Sequence, residues 1–175
     1  MTEEKKNRLI WGTMLLIGAL GCASLRNNPV MGIGPFAVGL IEGLIYACIL
    51  TAVRVSDWRM AAVIALVTPV FLWMQRFLDG YMIPVEILIG MTLIGGMRML
   101  LGKKRAYVLS AAMVTIPAYA VMLLASAVAI WIVKEERFVR ALIIAWNTDA
   151  YSGLSLLGAA LVSTLDMRHM KKEAR

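Results

Sequence analysis

Hydrophobic residues in this chain come in long runs, and polar residues come in short clusters between them. Six runs stand out: Leu9–Leu25, Pro29–Val53, Met60–Leu78, Gly80–Leu101, Ala106–Val133 and Ala141–Leu165. Each approaches or exceeds the roughly 20 residues a helix needs to cross about 30 Å of hydrocarbon. None alternates polar and apolar residues as a barrel strand would, and a spanning backbone must otherwise satisfy itself as a helix. The pattern predicts an all-α membrane protein: one domain over residues 1–175, built as a six-transmembrane-helix bundle. The first run follows Lys5, Lys6 and Arg8, much as a signal peptide would. Its length, and the spans after it, make it helix 1 of the bundle instead.

Proline interrupts two runs, at Pro69 and Pro117, where a kink or a freed carbonyl is expected. The sixth run is broken by Trp146-Asn147-Thr148-Asp149. Asn, Thr and Asp favour helix N-caps, because their side chains accept from orphan backbone N–H groups. Two pictures stay open. A span begins near Thr148 and Phe138–Trp146 is a short interfacial or re-entrant piece, or one tilted helix carries a polar patch.

Charge then orients the bundle. Of 18 Lys and Arg, twelve fall in the tail before helix 1, loops 2–3 and 4–5, and the last tail: Lys5, Lys6, Arg8, Arg54, Arg59, Lys103, Lys104, Arg105, Arg168, Lys171, Lys172 and Arg175. Five fall on the other side: Arg26, Arg76, Lys134, Arg137 and Arg140. The positive-inside rule puts both termini in the cytoplasm. Arg98 reads as a snorkelling anchor. The same placement disposes of a nucleic-acid reading of the net charge of +7, since the basic residues mark span ends.

Small residues four apart let a second backbone approach. Ala19 and Ala23 form such a strip in helix 1, Gly39 and Gly43 in helix 2, and Ser155, Ala159 and Ser163 in helix 6. The last two read as internal packing; for helix 1, packing and a face for a partner protein are both open. Cys22 and Cys48 lie inside apolar runs and read as small buried residues.

Intramembrane charge is costly and marks candidate sites. Glu42 lies near the middle of the second run with Tyr46 one turn on, a possible intramembrane polar site. Glu86 follows Tyr81 and Pro84 at the outer end of the fourth run. Trp146, Asn147, Asp149 and Tyr151 open the last span; Trp131, Trp73 and Gln75 end others on that side, and Asn27 and Asn28 occupy the first outer loop. Converging aromatic and polar groups suit a small-molecule pocket. An interfacial aromatic belt is the alternative for the tryptophans, a protonated packing carboxyl for Glu42, and a cap for Asp149. The single histidine, His169, lies in a tail, so no metal site is expected. There is no phosphate loop and no nucleophile with a base, so neither enzyme activity nor a cofactor is expected.

The stretches GIGPFAVGLIEGLIYACIL, AVIALVTPVFLWM and GYMIPVEILIGMTLIGG, with the Ala19/Ala23 strip, resemble helices 1 to 4 of the S components of energy-coupling factor (ECF) transporters. The resemblance implies a six-helix substrate-capture subunit in a prokaryotic cell membrane. It would bind a vitamin or similar micronutrient outside and deliver it inward with a transmembrane coupling subunit and two ATPases. It further implies Asn27 and Asn28 as a lid, and Glu86, Trp131, Trp146, Asn147, Asp149 and Tyr151 around the ligand, with Ala19 and Ala23 docking the coupling subunit. Glu42 departs from the family, which has a neutral polar residue there, so the substrate stays open; three outer carboxylates suggest a cationic or amine-bearing one. The alternatives are a structural scaffold of the MreD type and a self-sufficient proton-coupled carrier using Glu42 and Glu86.

Overall fold

A computed structural model of the chain describes residues 3–25, 35–101, 107–147 and 155–160. Among these there are helices and turns and no strand. The elements run α1 (Glu3–Leu25), α2 (Pro35–Val55), α3 (Trp58–Met74), a 3-10 turn (Gly80–Met82), α4 (Ile83–Leu101) and α5 (Tyr107–Lys134). A short α6 (Phe138–Asn147) follows, and residues 155–160 are helical again, here called α7.

Three stretches are long and apolar enough to cross a membrane: Glu3–Leu25, Gly80–Leu100 and Ser110–Lys134. At most 33% of the most apolar window in any of them is buried. Large apolar side chains such as Ile17, Met99 and Ile116 therefore point outward, the last 71% exposed. Contiguous apolar surface on this scale is unusual for a protein in water and fits one that faces lipid.

The first five runs each hold one helix, with shifted ends. α1 starts six residues before its run, because Glu3 and Glu4 in its first turn suit the positive end of the helix dipole and Glu4 pairs with Arg8 at 2.6 Å. α2 opens on Pro35, where a missing N–H costs nothing. α3 ends at Met74 in a Schellman turn. Arg76 takes a left-handed φ of 61°, its N–H bonds Trp73 O, and Phe77 N–H bonds Leu72 O. Phe77 also packs on Leu72, the apolar contact that accompanies this cap.

Of the sixth run, Ala141–Leu165, residues 141–147 and 155–160 are described, and both parts are helical. Its first part belongs to α6, which starts earlier, at Phe138. α6 turns at Glu135 (φ 51°) and folds back along α5. Phe138 meets Trp131 edge-on at 5.9 Å, and Trp146 meets Tyr119 at 6.5 Å. Ala127, Ile130, Ala141 and Ala145 are buried together between them.

The main core joins α1 to α5 and α7. Close approaches are set by small residues. A Cβ on Gly90 of α4 would lie 2.6 Å from Ala65 Cβ of α3, and one on Gly43 of α2 would lie 2.9 Å from Ser155 O of α7. Ala19 and Ala23 are both wholly buried, Ala19 in the main core and Ala23 against Ile41, Ile45 and Leu72. This corrects the reading of that strip as a partner-docking face. Its flatness is spent on packing within the chain, and the open face of α1 is instead Met14, Ile17, Gly18 and Gly21.

Ser56 Oγ donates to Arg8 O at 2.7 Å, which ties the α2–α3 corner to the start of α1. At the same end Arg98, from the last turn of α4, stacks over the Trp58 ring at 4.8 Å, with Arg59 also near it at 5.8 Å. The tertiary fold thus gathers Arg8, Arg59 and Arg98 at one end of the bundle. Asp79, Glu135 and Glu136 lie toward the other.

Candidate functional site

Glu42, Tyr46 and Glu86 come together where α2, α3 and α4 meet. Glu42 and Tyr46 share one face of α2, one turn apart. Glu86 stands in the first turn of α4, where the helix dipole favours a carboxylate. Tyr46 is 4% exposed, and its hydroxyl donates to Glu86 Oε2 at 2.9 Å across the helix interface. The two residues lie forty apart in the chain, so only packing brings them together.

Both carboxylates and the phenol line one crevice with Ile45, Ile49, Ala65, Thr68, Pro69 and Leu72. The crevice takes in about 320 Å³ of empty space counting its open side. Its closed part is small, with room for about one water molecule. None of its lining residues is basic. By helix rise, Glu86 lies about 5 Å and Thr68 about 9 Å from the ends of α4 and α3 that face the Met74–Met82 connection. The crevice is thus in the half of the bundle opposite Arg8, Arg59 and Arg98.

Thr68 is the residue sequence reasoning missed. It is 2% exposed, and its Oγ1 has no hydrogen-bond partner. A helical threonine ordinarily has the carbonyl one turn back within reach, and Thr92 and Thr13 each use it. Pro69 follows directly. Having no N–H, it removes the helical donor to the Ala65 carbonyl, which belongs to the same lining. The available signal was the lone hydroxyl before a proline in an otherwise apolar run.

The other expected site residues fall elsewhere. Trp131 and Trp146 are 48% and 57% exposed on the α5–α6 hairpin, and with Asn147, also exposed, they are absent from the crevice lining. Glu86 therefore meets Glu42 and Tyr46, which the sequence had set apart from it. Asn27, Asn28, Asp149 and Tyr151 lie outside the described residues, as do Lys103, Lys104, Arg105 and the last tail. Among the described residues no three carboxylate, imidazole or thiol groups come together as they would in a multi-ligand metal centre. No family model matches this chain, and no curated protein or solved structure matches it.

Proposed function

We propose that this chain is a substrate-capture membrane subunit of the ECF S-component kind, with both termini cytoplasmic. It takes a vitamin or similar small solute at the outer side of a prokaryotic cell membrane. Delivery inward uses a coupling subunit and two ATPases. The observation that carries the reading is the part-buried Tyr46–Glu86 bond beside Glu42, among otherwise apolar neighbours. Carboxylates in that setting cost several kcal/mol of desolvation unless they serve a partner. In a scaffold of the MreD type the same groups would only tie α2 to α4.

The crevice is too small for a whole vitamin, so it forms the polar floor of the site. Its walls and lid come from the outer connections, where the resemblance assigns Asn27, Asn28, Asp149 and Tyr151, with Trp131 and Trp146 beside them. The open face of α1 at Met14, Ile17, Gly18 and Gly21 replaces Ala19 and Ala23 as the surface for a coupling subunit. The grouping of Arg8, Arg59 and Arg98 at one end supports the cytoplasmic orientation of that end.

The test is native mass spectrometry of the purified protein for a co-purifying small molecule, followed by titration of that molecule. Glu86→Gln is expected to weaken binding roughly ten- to hundredfold, the worth of one charged hydrogen bond. No retained molecule, together with uptake unchanged in Glu86→Gln cells, refutes capture at this site. The paired carboxylates also favour a second reading, a proton-coupled carrier that works alone. Uptake by the reconstituted chain without ATPases would decide for it.

A further inference from the structure

We infer that the crevice between α2, α3 and α4 binds one small hard monovalent cation, for which sodium is the probe. The donors are all oxygen: the carboxylates of Glu42 and Glu86, the Tyr46 phenol and the Thr68 hydroxyl. Oxygen sets select hard cations over the softer metals that take imidazole or thiolate. Neither cysteine belongs to the lining.

Three features fix the class further. The closed part has room for about one water molecule, which admits a bare ion and excludes a larger organic cation. The lining carries two carboxylates and no basic side chain, so the site attracts positive charge. Only two carboxylates take part, with Tyr46 donating to one of them. Magnesium, which keeps several waters and demands a near-ideal octahedron, does not fit a space of about one water molecule, and the titration below separates calcium from sodium. The independent mark of a ligand is Thr68. Its Oγ1 is buried in the crevice wall and has no partner in the protein, a position that is costly unless something else completes it. A sodium ion among Glu42, Glu86 and Thr68 would complete it and offset the negative charge in one step.

The inference goes beyond solute capture and is read without any solute. Purified protein in detergent is heated in 100 mM sodium chloride and in 100 mM choline chloride, and sodium is then titrated at constant ionic strength. The expected result is a higher unfolding midpoint in sodium, because a ligand that binds only the native state stabilises it. Thr68→Val keeps the shape of threonine and is expected to raise the half-saturating sodium concentration roughly three- to tenfold. Ser110→Ala, which removes another buried hydroxyl on a different helix, is expected to leave that concentration unchanged. Equal midpoints in sodium and choline overturn the inference. So does a midpoint that responds to millimolar calcium or magnesium but not to sodium, or an unchanged half-saturation in Thr68→Val. A sodium response in a protein that retains no solute would leave this inference standing and count against capture alone.

Discussion

Removing the Tyr46 hydroxyl isolates one interhelical bond and asks what it is worth. Tyr46→Phe keeps the ring, which is almost fully buried, and deletes only the donor to Glu86 Oε2. Two magnitudes bracket the effect. Hydrogen bonds to charged groups contribute about 1.5–3 kcal/mol in soluble proteins. Interhelical bonds in membrane proteins average only about 0.6 and reach about 1.7 kcal/mol, since the unfolded helices also find partners in the bilayer. Tyr46 is buried, Glu86 is half-buried, and the bond joins α2 to α4 directly, so a value inside the membrane range applies, about 1 kcal/mol. The assay is a double-mutant cycle of Tyr46→Phe and Glu86→Gln, read as reversible unfolding in mixed micelles. The expected coupling is about 1 kcal/mol or more. Additivity within about 0.5 kcal/mol, the behaviour of independent sites, would refute the claim that this bond ties α2 to α4.

Two further outcomes follow from packing and backbone geometry. Gly90→Ala is expected to destabilise the bundle by about 1–3 kcal/mol, because the new methyl meets Ala65 Cβ at 2.6 Å and forces α3 and α4 apart; Gly95→Ala, which meets nothing within 4 Å, should be neutral or better, and equal unfolding midpoints for the two variants would disprove the close approach. Arg76→Gly is expected to stabilise by about 1 kcal/mol, since the left-handed φ of 61° is unstrained for glycine; a lower unfolding midpoint would show that the Arg76 side chain contributes more than its backbone costs.

The one-dimensional pattern carried the architecture a long way. Run length sets helix length through the fixed rise per residue, so five of the runs appear as α1 to α5 with ends moved by a few residues. Those shifts came from local chemistry the hydrophobic pattern does not weigh: Glu3 and Glu4 on a helix dipole, Pro35 at a first turn, and Arg76 in a left-handed cap. How residues 138–147 pack on α5 was not legible, because an apolar stretch does not say which of its faces meets a neighbour, and the Trp131–Phe138 and Tyr119–Trp146 contacts decide it.

The site was legible as residue types and illegible as a constellation. Glu42, Tyr46 and Glu86 each announced themselves by the cost of a polar group among apolar neighbours, and periodicity put the first two on one face of α2. Nothing local tells which face of α4 meets α2, so the pairing of Tyr46 with Glu86 belongs to the tertiary structure. The same holds for Thr68, an unremarkable hydroxyl until α2 and α4 enclose it and leave it without a partner. Ala19 and Ala23 show the converse. Four-residue spacing of small side chains says that a backbone comes close, and it cannot say whose. The fold answers with the chain's own core, because burying that strip inside was open to α2, α3 and α7 before any partner could arrive.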